Sequence, residues 1–547
     1  MRSVLLAALV AALVGLGVRL AVLARGTELP PDGVFDLEIA RDLQHGDWRG
    51  AVLRRFHPLE GALAAGVATA LGREADEACG LVVSLLAGTL AVFLVGLAGG
   101  ALGTCAPAPH PALRAGGLSP ARSAGGGREG GPFANEAPTP SAPLLAALSA
   151  GLLAAAHPGL VQASITVWSY PLSHAALAAA LLAAAHAVTR PSARAWALAG
   201  SAAGIGFLAR PDGIVIGAGL LAASVLLLFV RSARVPSAPV ALVLGFVLLA
   251  SPYLVALRAD TGEWRLTLKK DERHLVGMRD LQAPPPPPRP KGDLGAILDA
   301  AENLHEPEEI GTASSLLYVL RRSASAIHPL LLALGALGLL GTGRAAVPGA
   351  LVLLALVSAH TLLKVNEHDF SGHHAFLEAV VFAPWAGAAL ARLASRRLLR
   401  TAAVAGSFII LAAKAHDPHA ALKGNLARAV AARLRARAVP GQELAICGRD
   451  ARAVAFLAGA RLVDFPRGDA ATVASAARAA GAGWLAVYVR TPKGDEPTAV
   501  ERALAGAGLA ADQPRPGEPP LTARRDAPEG GSILYTWLLY DLSQEKR

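Results

Sequence analysis

The chain returns again and again to apolar runs of about twenty residues, the length at which a helix rising 1.5 Å per residue matches the hydrocarbon thickness of a bilayer. The first run lies in MRSVLLAALVAALVGLGVRLAVLARG. Spans are expected near 3–24, 79–103, 142–157, 171–189, 195–209, 212–230, 237–257, 325–342, 346–363, 373–391 and 401–415. The expected fold class is therefore mainly α, a polytopic membrane protein with about eleven transmembrane helices. Many of the runs are rich in Ala and Gly, whose small side chains let helices approach closely in lipid.

Charge agrees with this reading. Charged residues make up 17% of the 547-residue chain and hydrophobic ones 53%, whereas a soluble domain carries about 25% charged residues. A net charge of +10 could suit nucleic acid, but the arginines sit in short clusters between apolar runs. Arg114, Arg122 and Arg128, then Arg190 and Arg194, Arg231 and Arg234, Arg344, and Arg392, Arg396, Arg397 and Arg400 fall in alternate connections. That asymmetry predicts a cytoplasmic N-terminus, with the mixed-charge loops outside. No nucleic-acid partner is expected. The first run is long, contains Arg19 and lacks an Ala-x-Ala site, so it reads as a retained span rather than a cleaved signal.

Residues 26–78 form a first outer loop, and 258–322 a longer one holding the polyproline spacer APPPPPRP at 283–290. Residues 104–141 are rich in Gly, Pro, Ala and Ser and predict a disordered cytoplasmic linker. Residues 1–415 thus form the membrane domain. From 416 to 547 β-prone runs (QELAICG, ARLVDFP, GWLAVYV) alternate with helical ones and predict a small α/β domain. An odd number of spans puts it in the periplasm of a bacterium with two membranes. Cys79, Cys105 and Cys447 make no CxxC pair and read as inert thiols.

The first outer loop is unusually dense in titratable groups. PPDGVFDLEIARDLQHGDW followed by FHPLEGAL resembles the GT-C glycosyltransferases, specifically the bacterial relatives of protein O-mannosyltransferases and of the lipid A aminoarabinose transferase. HPGLVQASITVWSYPLSHAAL, LAGSAAGIGFLARPDGIVI and SPYLVALRADTGEWRLTLKK resemble later stretches of those proteins, so the similarity covers roughly residues 1–400. Many relatives have Asp-Glu where this chain has Asp32-Gly33, and many carry an acid near the position of Tyr170.

The resemblance implies a GT-C fold. It also implies transfer of a sugar, hexosyl or pentosyl, from a polyprenyl-phosphate donor to a lipid, glycan or protein acceptor at the outer face of the bacterial inner membrane. Such chemistry needs a base for the acceptor proton and positive charge for the leaving phosphate. Asp32, after Pro30 and Pro31, is the first candidate for base or metal ligand; it could equally cap the helix that follows. Asp36 shares its helix face, while Glu38 points elsewhere. His57 and Arg210 are candidates for the donor phosphate, as are His373 and His374. Asp212 would neutralise Arg210, and His157-Pro158 closes the third span. The stretch NEHDFSGHH, with Glu367, His368 and Asp369, has the density of a metal site. Asp32 and His368 are its expected ligands, and the resemblance leaves Mg²⁺ or Mn²⁺ open as a cofactor. A transporter or flippase and a non-catalytic scaffold remain alternatives. The first would place charges inside the spans, which apart from Arg19 and histidines such as His186 and His360 read as nearly uncharged.

Overall fold

A computed structural model describes residues 1–54, 56–104, 142–230, 235–268, 293–294, 296–298, 312–367, 372–393, 404–406, 408–409, 411, 418–438, 443–448, 451–491, 498–512, 515, 518, 521–526 and 532–542. The expected linker lies almost wholly outside them, as do the polyproline run, Cys105, His368 and Asp369. These residues fall into two compact units. One takes in those of Met1–Ala21, Ile39–Gly277 and Gly311–His416; the other takes in those of Val22–Glu38, Met278–Ile310 and Asp417–Arg547.

The first unit is helical. Among the described residues five helices are long and apolar enough to cross a membrane, and up to seven spans arise if each of two bent pairs is one. The long helices are α1 (Arg2–Leu23), α5 (Glu77–Gly103), α8 (Tyr170–Thr189), α11 (Ala238–Thr261) and the one containing α14 (Val347–Glu367). Residues 26–78, the expected first outer loop, hold α2 (Pro31–Gln44), α3 (Trp48–Leu53) and α4 (Leu59–Ala70). The expected runs at 195–209 and 212–230 appear as α9 (Ala193–Ala209) and α10 (Asp212–Leu227), of 17 and 16 residues. The run at 373–391 appears as α15 (Phe376–Leu393), and that at 401–415 is described only in part.

The sequence reads 325–342 as one run, but the structure breaks it. α12 (Thr312–Ile327) and α13 (Pro329–Gly341) meet at 100°, and α6 (Ala142–Ala156) and α7 (Pro158–Ser164) meet at 65°. Both breaks are His-Pro pairs. Proline has no N–H to continue the ladder and pushes the residue before it out of helical geometry. His157 (ψ 121°) and His328 (φ 73°) are accordingly non-helical, and each ring accepts from a backbone N–H of the new helix. A break in lipid strands polar backbone, which must find partners inside the protein. His157 supplies both: its Nδ1 accepts from Leu160 N–H at 3.3 Å, and its Nε2 lies 3.1 Å from Ile327 O, the last carbonyl of α12. Arg19, buried within α1, donates to Gly15 O at 3.0 Å, Ala155 O at 3.4 Å and Leu160 O at 3.5 Å. The core between these helices is mostly alanine and leucine, filled at intervals by Trp196 and Trp385.

The second unit is an α/β sandwich on one five-stranded sheet of order β2-β1-β3-β5-β4. β1 (Ala445–Cys447) pairs in parallel with β2 (Arg461–Val463) and β3 (Trp484–Thr491), while β5 (Ser532–Asp541) runs antiparallel to both β3 and β4 (Thr522–Asp526). One face carries α16 (Pro418–Arg437) and α17 (Arg452–Ala458), the other α18 (Ala470–Ala479) and α19 (Ala499–Gly506), each with its own apolar core. Burial pushes the Cys447 thiol up to about 11, which keeps it unreactive.

Candidate functional site

In the helical unit a buried polar cluster gathers around Arg210. Pro211 holds Arg210 in extended backbone (φ −158°, ψ 152°), so α9 ends there and the side chain turns away from the helix. Its Nε donates to Asp212 Oδ2 at 2.9 Å, and its guanidinium carbon lies 3.6 Å from the centre of the Tyr170 ring. Asp212 stands in the first turn of α10, where the helix dipole favours a carboxylate. The guanidinium is thus fixed in plane by an aromatic face and in direction by an acid. Arg210 is 8% exposed and Tyr170 2%, so little water competes with either contact.

Around Tyr170 stand Trp168 at 4.9 Å, His174 at 6.1 Å and His374 at 6.4 Å between ring centres. His374 in turn lies 6.0 Å from His360, whose Nδ1 is 3.0 Å from Glu378 Oε1. Glu378 is fully buried in the first turn of α15, and its Oε2 has no hydrogen-bond partner among the described residues. A buried carboxylate against an imidazole fixes the orientation of the ring. Lys364, one turn along α14 from His360, places its ammonium 4.8 Å from the Tyr318 ring centre. From the other side Glu60, fully buried in α4, accepts from Ser84 Oγ at 3.2 Å, and that same oxygen accepts from Trp168 N–H at 3.3 Å.

Of the residues singled out in the sequence, Arg210 and His374 come together around Tyr170. His57 lies in an adjoining aromatic group, its ring 4.9 Å from Phe207 and 5.2 Å from Tyr253. Phe207 is the residue one turn before Arg210 in α9. The His373 side chain and His368 lie outside the described residues. His157 is a structural cap and His186 is exposed. Glu60, Glu378 and His174 did not stand out in the sequence. Their signal was available, because a lone acid or imidazole in an apolar helix is costly, and the expectation of nearly uncharged spans overlooked Glu378.

In the other unit α2 begins at Pro31, so Asp32 stands inside its first turn, half-buried, rather than before it as a cap. Asp36 lies one turn on and is buried. Glu38 pairs with Arg452 at 3.3 Å, and the Arg452 guanidinium stacks on Phe35 at 3.9 Å. Arg428 donates to Thr27 O at 2.8 Å, so the residues leading into α2 are bound into the α/β unit. No group of three or more His, Cys, Asp or Glu side chains among the described residues is arranged to hold a metal ion. An apolar cavity of about 380 Å³ is lined by Val14, Leu148, Leu152, Leu390 and Phe408; none of the candidate residues borders it.

No family model matches the chain, and no curated protein does. Among solved structures it is similar to ArnT from Cupriavidus metallidurans bound to undecaprenyl phosphate, with a TM-score of 0.56 and 13% identity over 96% of this chain and 97% of that one. The apo state of the same protein gives a TM-score of 0.53, 14% identity and the same coverage. The Archaeoglobus fulgidus oligosaccharyltransferase in its apo form gives 0.49 and 13% over 88% of this chain and 69% of that one. Near-complete mutual coverage at low identity means that the course of the backbone is shared while the side chains have diverged. This chain is a multi-pass membrane protein with the fold of ArnT, the GT-C fold.

Proposed function

We propose that the chain is a membrane glycosyltransferase that moves a sugar from a polyprenyl-phosphate donor to a lipid, glycan or protein acceptor. The observation that carries this reading is the buried Arg210, held on Tyr170 and aimed by Asp212. A planar guanidinium fixed in this way matches a phosphate group. ArnT, the protein of the same fold, has been solved with undecaprenyl phosphate. The arginine asymmetry of the loops supports placing the chain in a bacterial inner membrane, with the N-terminus cytoplasmic and residues 416–547 periplasmic.

In this reading the acceptor oxygen forms a bond to the anomeric carbon as the bond from that carbon to the phosphate oxygen breaks. The leaving polyprenyl phosphate takes the electron pair, and Arg210 stabilises the charge that develops on it. His57 and His374 assist at the phosphate, and the acceptor proton passes to a carboxylate, for which Asp32 is our candidate with Asp36 as second choice. A divalent cation, if bound, would be held by Asp32 and His368 and would add positive charge against the leaving phosphate.

The test is transfer of sugar from a polyprenyl-phosphate donor in membranes containing the chain or its Arg210→Ala variant, with mass spectrometry of envelope lipids and glycans with and without the gene. Transfer that depends on Arg210, together with a lost glycoform, is expected. An unchanged envelope and no transfer from any polyprenyl-linked sugar would overturn the reading.

A further inference from the structure

Helix α3 is short and only partly buried. Ala51 is fully buried, and Val52 packs with Leu268 against the core of Phe207, Tyr253 and Leu257. Its other apolar side chains are open: Trp48 is 68% exposed and Leu53 38%. Directly after α11 the chain shows Trp264 at 65% and Leu266 at 40% exposed. The two stretches are tied together by an ion pair, Arg49 Nε to Asp260 Oδ1 at 3.0 Å. Two tryptophans and two leucines therefore lie turned outward near the end of one membrane helix.

What covers them follows from α11. Val240, Leu244, Leu248 and Val255 are all more than half exposed and recur on one face of this 24-residue helix. An exposed apolar stripe on a membrane-spanning helix faces lipid. A helix of this length spans about 36 Å, longer than a hydrocarbon core of about 30 Å, so its last turn emerges among the headgroups. Arg258 and Asp260 stand in that turn. Trp264 then follows at the depth where tryptophan is enriched in membrane proteins, its ring apolar and its N–H wet.

We infer that Trp48, Leu53, Trp264 and Leu266 form one interfacial anchor, seated on the bilayer at the headgroup boundary where α11 ends. Its partner is the lipid surface. The anchor sets the depth of α3 and, through Val52, of the aromatic group that holds His57. This inference rests on the chain spanning a membrane and not on sugar transfer, so the two can fail separately.

The experiment uses the full chain in nanodiscs whose phosphatidylcholine carries a nitroxide at acyl position 5 or 12. The chain has seven tryptophans, so the wild-type emission minus that of a Trp48→Phe/Trp264→Phe double variant isolates the two rings. A blue-shifted difference emission is expected, quenched at least about twofold more by the shallow nitroxide than by the deep one and little by aqueous iodide. Quenching by iodide without quenching by either lipid would overturn the inference, as would equal quenching by both lipids. If the double variant does not fold, Leu53→Cys and Leu266→Cys in a background lacking the native cysteines, each carrying an environment-sensitive fluorophore, read the same depth with the same criteria.

Discussion

The Arg210 guanidinium lies flat over Tyr170, 3.6 Å from the ring centre, while its Nε is held by Asp212. A cation stacked on a desolvated ring is stabilised by about 2 kcal/mol, on the order of thirtyfold in binding. Lysine keeps the charge but not the plane. Arg210→Lys should therefore raise KM for a polyprenyl-phosphate sugar by about ten- to thirtyfold. Tyr170→Phe, which keeps the ring face, should stay near wild type, and Tyr170→Leu should behave like Arg210→Lys. Steady-state kinetics in membranes read all three.

Asp32, in the first turn of α2, is our candidate base. Asp32→Asn keeps the shape of the side chain in the first turn of α2 and removes its proton affinity, so transfer should fall by at least about a hundredfold with normal expression. Asp32→Glu should recover only part, because the oxygen is displaced. Asp36→Asn should cost less. Near-normal transfer by Asp32→Asn would move the base to His360 and Glu378.

Glu378 and His360 form a buried pair whose loss should be felt in folding before chemistry. Glu378→Leu leaves the imidazole without its acid, and removing one partner of a buried pair costs about 3–5 kcal/mol. Glu378→Gln keeps an acceptor for Nδ1–H and should restore most of the thermal midpoint. If the pair handles the acceptor proton, the Gln variant will fold normally yet lose transfer, and the thermal midpoint and kcat of the same variant separate the two.

His157 satisfies two helix breaks at once. His157→Ala leaves Ile327 O and Leu160 N–H stranded in the protein interior, at about 1–3 kcal/mol each. A large drop in the thermal midpoint of the solubilised chain is expected, with Arg19→Leu destabilising through the same break by stranding the carbonyl of Ala155.

In the α/β unit, Glu518 accepts from Arg515 N–H and pairs with Arg433 at 3.1 Å and Arg437 at 2.9 Å. The backbone hydrogen bond first, then the two guanidiniums, lower its carboxyl below the usual range. A depressed carboxyl contributes stability above its unfolded pKa of about 4.3 that is lost as pH falls through the folded value. Acidification below pH about 4 should therefore destabilise the wild type more than Glu518→Gln, as thermal melts of the full chain at pH 7 and pH 3.5 will show.

Much of the helical unit is legible in the sequence, because spans answer to length and hydropathy alone. α1, α5, α8 and α11 begin and end within a few residues of their apolar runs. The breaks at His157 and His328 are not legible in the same way. Their prolines are visible, but a break becomes tolerable only when remote groups such as Arg19 reach the freed carbonyls, and no local pattern encodes that. The cluster around Arg210 divides similarly. Arg210 stands out beside a proline between two apolar runs, while its partner Tyr170 is a ring in another helix, chosen by packing. Glu60 and Glu378 are single acids in apolar helices, a weak signal against so much alanine. Asp32 and Asp36 are conspicuous in the sequence, but only the fold assigns the beginning of their helix to the compact unit of the α/β sheet.

The order of that sheet bears on how the chain is made. β5 is the last strand in sequence but not in space, since it stands between β3 and β4 and pairs with β3 over eight residues. A ribosome delivers it after every other strand and helix of the unit. Until it arrives, β3 presents an open edge and β4 has no neighbour, so the half-made domain depends on chaperones or on speed. A premature stop near residue 530 would remove an inner strand rather than trim an edge, leaving an inserted membrane bundle joined to a domain that cannot close.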